Sequence, residues 1–275
     1  MPYAQAGEVR LYYEEHGRGA PLVLAPGFGA GLWIWYRQIP ALAERFRVIA
    51  FDPRGVARSA AAPDGELSTR LLADDLAALL DALGVRDAHV LGGSFGGFVA
   101  QEFALAHAGR VRGLILCCTS YGGPGHLPPR PETLEAIAST RGLNTEDRVR
   151  QNLLLAFSPR FVAEEAEEVG RVIALRAENP VPEQVYLRQL RAAVGFDARA
   201  RVGSVRAPTL VITGDEDRIV PHENSLNLAA LIPGARLRVV AGGSHAFFIE
   251  QADEFNRAVA EFIESVEGRP PQAQT

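Results

Sequence analysis

Ala88-His89-Val90-Leu91-Gly92-Gly93-Ser94-Phe95-Gly96-Gly97 runs from an apolar stretch straight into a glycine-crowded turn, and Phe98, Val99, Glu102, Phe103 and Ala106 then continue it as a helical pattern ending near Gly109. A Gly-x-Ser-x-Gly turn between a strand and a helix holds the serine backbone in a strained conformation that only small neighbours tolerate, and it pushes the hydroxyl out at the edge of the sheet. Ser94 is therefore a candidate nucleophile. Glycines also flank serines in ordinary turns, so the pattern alone is as compatible with a plain turn as with a nucleophile elbow, and the rest of the chain has to decide. A helix starting at the serine places free N–H groups and the positive end of its dipole there, which favours negative charge developing on a bound substrate.

Outward from that turn, short apolar runs alternate with helical patterns over the first 118 residues, the signature of a mainly parallel sheet covered by helices. Val9 to Glu14, Pro21 to Ala25 and Val48 to Phe51 read as strands, with one helix from Leu32 to Glu44. Leu72, Leu76, Leu79, Leu80 and Leu83 keep helical spacing, and Gly84 stands where a left-handed residue would end that helix. From Ser120 the texture changes. The breakers Gly122-Gly123-Pro124-Gly125 and Pro128-Pro129-Arg130-Pro131 lead into a stretch with helical patterns only. We expect a core of residues 1–120 and 202–268, a helical lid inserted over 121–201, and a loose tail at 269–275. Strand patterns resume at Thr209 to Thr213 and Arg236 to Ala241, and a helix from Ala252 to Val266 closes the core.

The chain has 275 residues, enough for one large α/β domain, with 47% hydrophobic and 22% charged residues, a balance that excludes disordered and fibrous classes. A net charge of -5 gives no reason to expect nucleic acid or an anionic membrane as partner. All 28 basic residues are arginine, so lysine Schiff-base chemistry is excluded. Cys117 and Cys118 are adjacent in an apolar run and too few for a disulfide framework, which favours a reducing cytoplasm. The N-terminus lacks an export pattern and no apolar run is long enough to span a membrane.

A serine hydroxyl is a poor nucleophile unless a histidine removes its proton and a carboxylate holds that histidine in the right tautomer. Gly214-Asp215-Glu216-Asp217 directly follows the strand after the insertion, and Asp217 is the choice for the acid over Asp215 and Glu216; Asp215 reads as the residue that ties the loop through backbone hydrogen bonds. His245, in Gly242-Gly243-Ser244-His245 just past the last strand, is the base. His222 reads as a helix-start residue, and His16, His89, His107 and His126 as structural or surface residues. An oxyanion needs two preorganised donors, and the backbone N–H groups of Phe95 and of Phe28, in the loop Ala25-Pro26-Gly27-Phe28-Gly29-Ala30, are placed to supply them. The same glycine-rich loop lacks the spacing of a nucleotide site, and no cofactor or metal is expected.

These positions together resemble the α/β-hydrolase superfamily over about Val9 to Phe262, and Asp52-Pro53-Arg54-Gly55-Val56-Ala57-Arg58-Ser59 is similar to that family's Asp-x-Arg-Gly-x-Gly-x-Ser loop, with Ala57 replacing a glycine. The resemblance implies a mostly parallel eight-stranded sheet flanked by helices, with nucleophile, acid and histidine in that order. Pro26 stands where many members have histidine, which puts the hydrogen bonds supporting the oxyanion loop in doubt; the alanine at 57 implies only a small backbone difference. Gln38-Ile39-Pro40-Ala41-Leu42, Phe46-Arg47-Val48-Ile49 and Leu80-Asp81-Ala82-Leu83-Gly84 look most like the 3-oxoadipate enol-lactonase group and related small esterases, although such strings pack the fold and do not touch substrate.

The function expected is cofactor-independent hydrolysis of a small-molecule carboxylic ester or lactone through an acyl group on Ser94. C–C bond hydrolysis of a diketone and perhydrolase or haloperoxidase activity use the same triad and stay open, as does a ligand receptor of this fold with little turnover. Dehalogenase and epoxide hydrolase chemistry are disfavoured because they resemble this fold with aspartate at the elbow. Trp33, Trp35, Tyr121, Phe157, Phe161, Val220 and Phe247 are candidates for an apolar pocket between sheet and lid, and each also fits a place in the core. A dicarboxylate substrate would need a cation nearby, for which Arg141, Arg148 and Arg176 lie in the insertion.

Overall fold

The computed structural model describes residues 2–60, 66–139 and 145–268. Eight strands, β1 (Tyr3–Ala6), β2 (Val9–His16), β3 (Pro21–Ala25), β4 (Arg47–Phe51), β5 (Ala88–Gly93), β6 (Val111–Cys117), β7 (Thr209–Gly214) and β8 (Arg236–Val240), form one sheet in the order β1-β2-β4-β3-β5-β6-β7-β8. β1 with β2 and β2 with β4 run antiparallel, and every other pair is parallel. The strands buried on both faces read as unbroken apolar runs, as in Leu22-Val23-Leu24-Ala25 and Leu114-Ile115-Leu116-Cys117. β1 escapes a pattern search because Tyr-Ala-Gln-Ala is short and buries only two alanine methyls.

Helices cover both faces. α1 (Gln38–Ala43) and α2 (Thr69–Ala82) precede the elbow, and α3 (Phe95–Ala106) follows it. α2 starts where Ser68 accepts from the Leu71 N–H, and it packs Leu72, Leu76, Leu79 and Leu80 into the core. Gly84 then takes the left-handed conformation (φ 65°) expected of it. The single helix expected over Leu32 to Glu44 is instead a 3-10 turn at Leu32–Trp35 followed by α1. Pro40 explains the break: it has no N–H to give to the preceding turn and is tolerated only in the first turn of a helix, where it stands in α1. A second correction concerns Ala57, whose φ of 46° puts an alanine in the left-handed region, so the missing glycine carries a backbone strain of about 1–2 kcal/mol.

Between β6 and β7 the described residues form five α-helices, α4 (Pro131–Ser139), α5 (Thr145–Leu155), α6 (Pro159–Glu164), α7 (Ala166–Glu178) and α8 (Glu183–Val194). They are tied to the carboxyl edge of the sheet. The Tyr36 hydroxyl donates to Glu168 (2.5 Å), the Ala246 N–H to the Ala156 carbonyl (2.8 Å) and Arg218 Nη2 to the Phe157 carbonyl (2.7 Å). Glu250 accepts from both Ser158 of the insertion and Ser244 of the last loop. After β7 come α9 (Glu223–Leu231), with His222 at its start as expected, then α10 (Phe247–Glu250) and α11 (Ala252–Val266). The expected tail, 269–275, lies outside the described residues.

Candidate active site

Ser94 stands between the last residue of β5 and the first of α3 with φ 52° and ψ −117°. The glycines around it are there because nothing larger fits. A Cβ at Gly92 would lie 2.3 Å from the Gly96 carbonyl oxygen, one at Gly96 2.3 Å from that of Ala25, and one at Gly97 2.6 Å from Thr119 Oγ1. Hydrogen bonds from the Ser94 N–H to the Cys117 carbonyl (2.8 Å) and from Gly97 N and Thr119 Oγ1 to the Ser94 carbonyl (2.9 and 2.8 Å) hold a conformation costing about 1–3 kcal/mol. Such strain persists only where the surroundings over-determine it.

At the end of β7, Asp217 is buried and both carboxylate oxygens are committed. Oδ1 accepts from the Ile219 and Val220 N–H groups (2.8 Å each), and Oδ2 meets His245 Nδ1 at 2.7 Å. Asp217 therefore ties its own loop, the task expected of Asp215; Asp215 Oδ1 is buried without a partner, and only its backbone N–H is used, toward Val240. Burial works to lower the His245 pKa, but the Asp217 charge, the Cys118 sulfur and the hydrogen bond that Nδ1–H gives to Asp217 outweigh it and raise the value to about 9. Cys118 lies beneath this pair, at the end of β6. Burial and the neighbouring Cys117 keep its thiol well above the usual range, and so protonated near neutral pH.

Gly27 brings the loop after β3 against Ser94: a Cβ there would be 3.6 Å from Ser94 Cβ. The support that Pro26 does not provide comes from the insertion. Gln189, fully buried in α8, accepts from the Gly29 N–H at 2.9 Å, while Asp52 Oδ1 accepts from Leu32 N at 2.9 Å at the far end of the loop. A polar residue on the apolar stripe Val185, Gln189, Ala192 was the available signal for Gln189, and the sequence reading missed it.

A cavity of about 700 Å³ opens over these groups, with Ser94, His245, Phe28 and Phe95 on its wall. Trp33, Trp35, Phe157 and Val220 line it as well. Tyr121, Phe161 and Phe247 do not. Tyr121 is turned into the core with its hydroxyl on the Gly125 carbonyl, Phe161 stacks behind Phe157 at 5.3 Å between ring centres, and Phe247 packs at 5.6 Å on Phe255 while its neighbour Phe248 faces the cavity. Phe98, Tyr186 and Leu190 complete the apolar wall, and Arg176 is its cation; Arg141 and the side chain of Arg148 lie outside the described residues. His126, expected to be a structural or surface residue, also reaches the wall, with Nδ1 3.0 Å from Ser120 Oγ. His16, His89 and His107 are engaged with Glu14, Glu267 and Asp74.

Among the described residues, one group brings three ligand-type atoms within 4.8 Å of one another: Cys118, Asp217 and His245. Asp217 and His245 are already bonded to each other and the thiol is protonated, so the donor set suits a proton relay better than a cation.

The sequence profile of the alpha/beta hydrolase fold matches residues 20–252. The chain belongs to the α/β-hydrolase family. The hydrolase is 37% identical over 267 residues to the "Putative carbamate hydrolase RutD" of Azorhizobium caulinodans, covering 97% of this chain and 100% of the relative. It is 32% identical to the 2-hydroxy-6-oxononadienedioate/2-hydroxy-6-oxononatrienedioate hydrolase of Paraburkholderia xenovorans, covering 94% of this chain and 91% of that one. Among solved structures, the enol-lactonase from Burkholderia xenovorans LB400 superposes with a TM-score of 0.84 at 27% identity, over 95% of this hydrolase and 99% of the enol-lactonase. No helix among the described residues is long and apolar enough to cross a membrane.

Proposed function

We propose that this hydrolase cleaves a carboxylic ester or lactone through an acyl-enzyme on Ser94. The observation that carries the reading is the Asp217–His245 pair, bonded at 2.7 Å and opening onto the same cavity as the strained serine. In the first half-reaction the Ser94 hydroxyl oxygen attacks the carbonyl carbon and its proton passes to His245 Nε2, while Nδ1–H stays on Asp217. The Phe28 and Phe95 N–H groups hold the oxyanion, the C–O bond breaks, and the departing alkoxide takes the proton from His245. Water then attacks the acyl group with His245 again as base, releasing the carboxylic acid and restoring Ser94. The helices described over 121–201 act as the lid and wall the cavity opposite Ser94. No cofactor enters this scheme. Unbridged thiols at Cys117 and Cys118 fit action in a reducing cytoplasm.

The names of the relatives favour a second carbonyl class, carbamates. A carbamate ester would enter the same cavity and react at the same carbon. A bare carbamate would leave most of about 700 Å³ of apolar space empty, which is why an ester or lactone with a hydrocarbon body is the first reading. C–C bond cleavage of a vinylogous diketone draws support from the 32% identical relative.

Replacing Ser94 by alanine tests the mechanism. Turnover of p-nitrophenyl butyrate should fall by about a millionfold in kcat, and labelling by a fluorophosphonate should disappear. A well-folded Ser94→Ala protein that keeps its turnover would remove the acyl-enzyme. Multiple turnovers by the wild type with excess ester separate an enzyme from a receptor, and a panel of esters, lactones, carbamates and diketones ranks the substrate classes.

A further inference from the structure

α5 ends at Leu155, and the last turn of a helix leaves carbonyls that no N–H of its own can reach. Here the core takes them up. Arg218 Nη2 donates to the Phe157 carbonyl at 2.7 Å and, more weakly, to that of Leu155 at 3.4 Å, while the Ala246 N–H donates to the Ala156 carbonyl between them at 2.8 Å. A cationic donor suits the negative end of the helix dipole. Ser158, the next residue, is tied as well: its N–H and its hydroxyl donate to Glu250 at 2.6 and 2.9 Å, and Glu250 also accepts from the Ser244 hydroxyl at 2.6 Å. Four consecutive residues of the insertion are thus held from the core.

The residues that hold them flank the acid and the histidine. Arg218 follows Asp217 and lies inside the turn that the Ile219 and Val220 N–H groups close on Asp217 Oδ1. Ser244 precedes His245 and Ala246 follows it. On the sheet side the two loops are joined by the Glu216 N–H to the Gly243 carbonyl at 2.9 Å, and on the insertion side Leu155–Ser158 bridges them. Between these two ties lies the bond from His245 Nδ1 to Asp217 Oδ2 at 2.7 Å. Neither Arg218 nor Glu250 is on the cavity wall, so each reaches the chemistry through its neighbours. Phe157, buried and on that wall, is carried by the same four residues.

We propose that Leu155–Ser158 is a clamp that sets the Asp217 loop against the His245 loop, with Arg218 and Glu250 as positioning residues for the triad. The proposal rests on the acyl-enzyme reading at Ser94 and adds that acid and base are aligned by the insertion together with the core. A base displaced by about 1 Å can lose about a hundredfold in rate, so a clamp two residues from the chemistry is expressed in turnover. It also places one aromatic wall of the cavity at a fixed distance from the histidine that works beside it.

The test is the pH profile of p-nitrophenyl butyrate hydrolysis by Arg218→Met, Arg218→Lys and Glu250→Leu, with spontaneous hydrolysis subtracted and rates expressed per site labelled by a fluorophosphonate, so that misfolded protein is not counted. Arg218→Met keeps the stem and loses the fork; kcat should fall by about 10- to 100-fold with KM changed by less than about threefold. The limb of kcat/KM should also move to lower pH. Asp217 and Cys118 are the groups that raise His245, and a lengthened Asp217–His245 bond weakens the first of them. Loss of a positive charge by itself would move the limb the other way, so the direction separates alignment from charge. Arg218→Lys returns one cationic donor and should recover most of kcat. Glu250→Leu should lower kcat over the same range, and the double variant should lose less than the product of the two, because both release one segment. A kcat for Arg218→Met within about threefold of the wild type, a loss confined to KM, a limb that stays or rises, or strictly multiplicative losses in the double variant overturns the proposal. Ser94→Ala reports on the underlying reading: persistent turnover there removes the acyl-enzyme and the clamp's role with it, whereas an inactive Ser94→Ala beside a fully active Arg218→Met removes the clamp alone.

Discussion

Asp217→Asn is the sharpest perturbation of the proposed triad, because the surrounding hydrogen bonds dictate which way the new amide must point. Oδ1 of Asp217 is held by two backbone N–H donors at 2.8 Å, and only a carbonyl oxygen can stay there. The amide NH2 is then forced onto His245 Nδ1, which has to become an acceptor and move the ring proton to Nε2, the atom that should receive the serine proton. We expect a loss of about 10⁴ in kcat, the size seen when a triad loses its tautomer control. The titration should move as well. In the wild type His245 is raised from 6.5 to about 9 and is inactive as a base while protonated, so kcat/KM on p-nitrophenyl butyrate climbs with pH well above 6.5. Without the carboxylate both causes tied to Asp217 are lost and burial, the largest cause, pulls the value down, so the limb should move to lower pH.

The same shift has a stability consequence with a defined sign. A folded pKa above the unfolded one stabilises the fold fully below pH 6.5, and the contribution is lost as pH rises through about 9; a shift of this size corresponds to about 3 kcal/mol. The deficit of Asp217→Asn in urea unfolding should therefore be largest near pH 6 and nearly gone at pH 10. A limb that stays where it was, or a kcat loss under about tenfold, would refute the assignment of Asp217. Asp215→Asn is the control, because that carboxylate makes no side-chain hydrogen bond and should keep most activity.

Two further outcomes follow from the geometry. Gln189→Leu leaves the Gly29 N–H without its acceptor, a loss of about 1–3 kcal/mol that should appear as a fall in kcat with KM little changed; Gln189→Glu keeps an acceptor and should restore most of it, and equal kcat in both variants would argue against the prop. Ala57→Gly relieves a left-handed alanine worth about 1–2 kcal/mol while loosening the unfolded chain by about 0.4–1 kcal/mol, so the melting temperature should rise by a few degrees, and a fall would mean that φ of 46° is not strained.

The strand–turn–helix around Ser94 was legible in the sequence because Gly92 and Gly96 answer to backbone atoms a few residues away or on the adjacent strand, contacts that recur wherever this turn joins a strand to a helix. Asp217 and His245 were placed by chain order and by the strands before them. The cavity wall was much less legible. Phe247 and Phe248 are adjacent and chemically identical, yet one packs on Phe255 and the other faces the cavity, because direction depends on where the short helix α10 begins. Tyr186, Gln189, Leu190 and Arg176 come from helices whose facing depends on how the insertion folds back over the sheet, and a periodic pattern reports burial without naming what it is buried against. Pro40 split a helix that the apolar residues on either side made look continuous.

The core supplies the strained serine and the Asp217–His245 pair, but the loop proposed to receive the oxyanion is held at Gly29 by Gln189 of α8, and Tyr186, one turn before Gln189, lies on Phe28. The same helix therefore holds the proposed oxyanion loop at two points, by a hydrogen bond at Gly29 and by ring packing at Phe28. Tyr186→Ala removes the second point while leaving Gln189 in place, so turnover of p-nitrophenyl butyrate should fall in kcat, and a loss confined to KM would mean that the ring only lines the cavity.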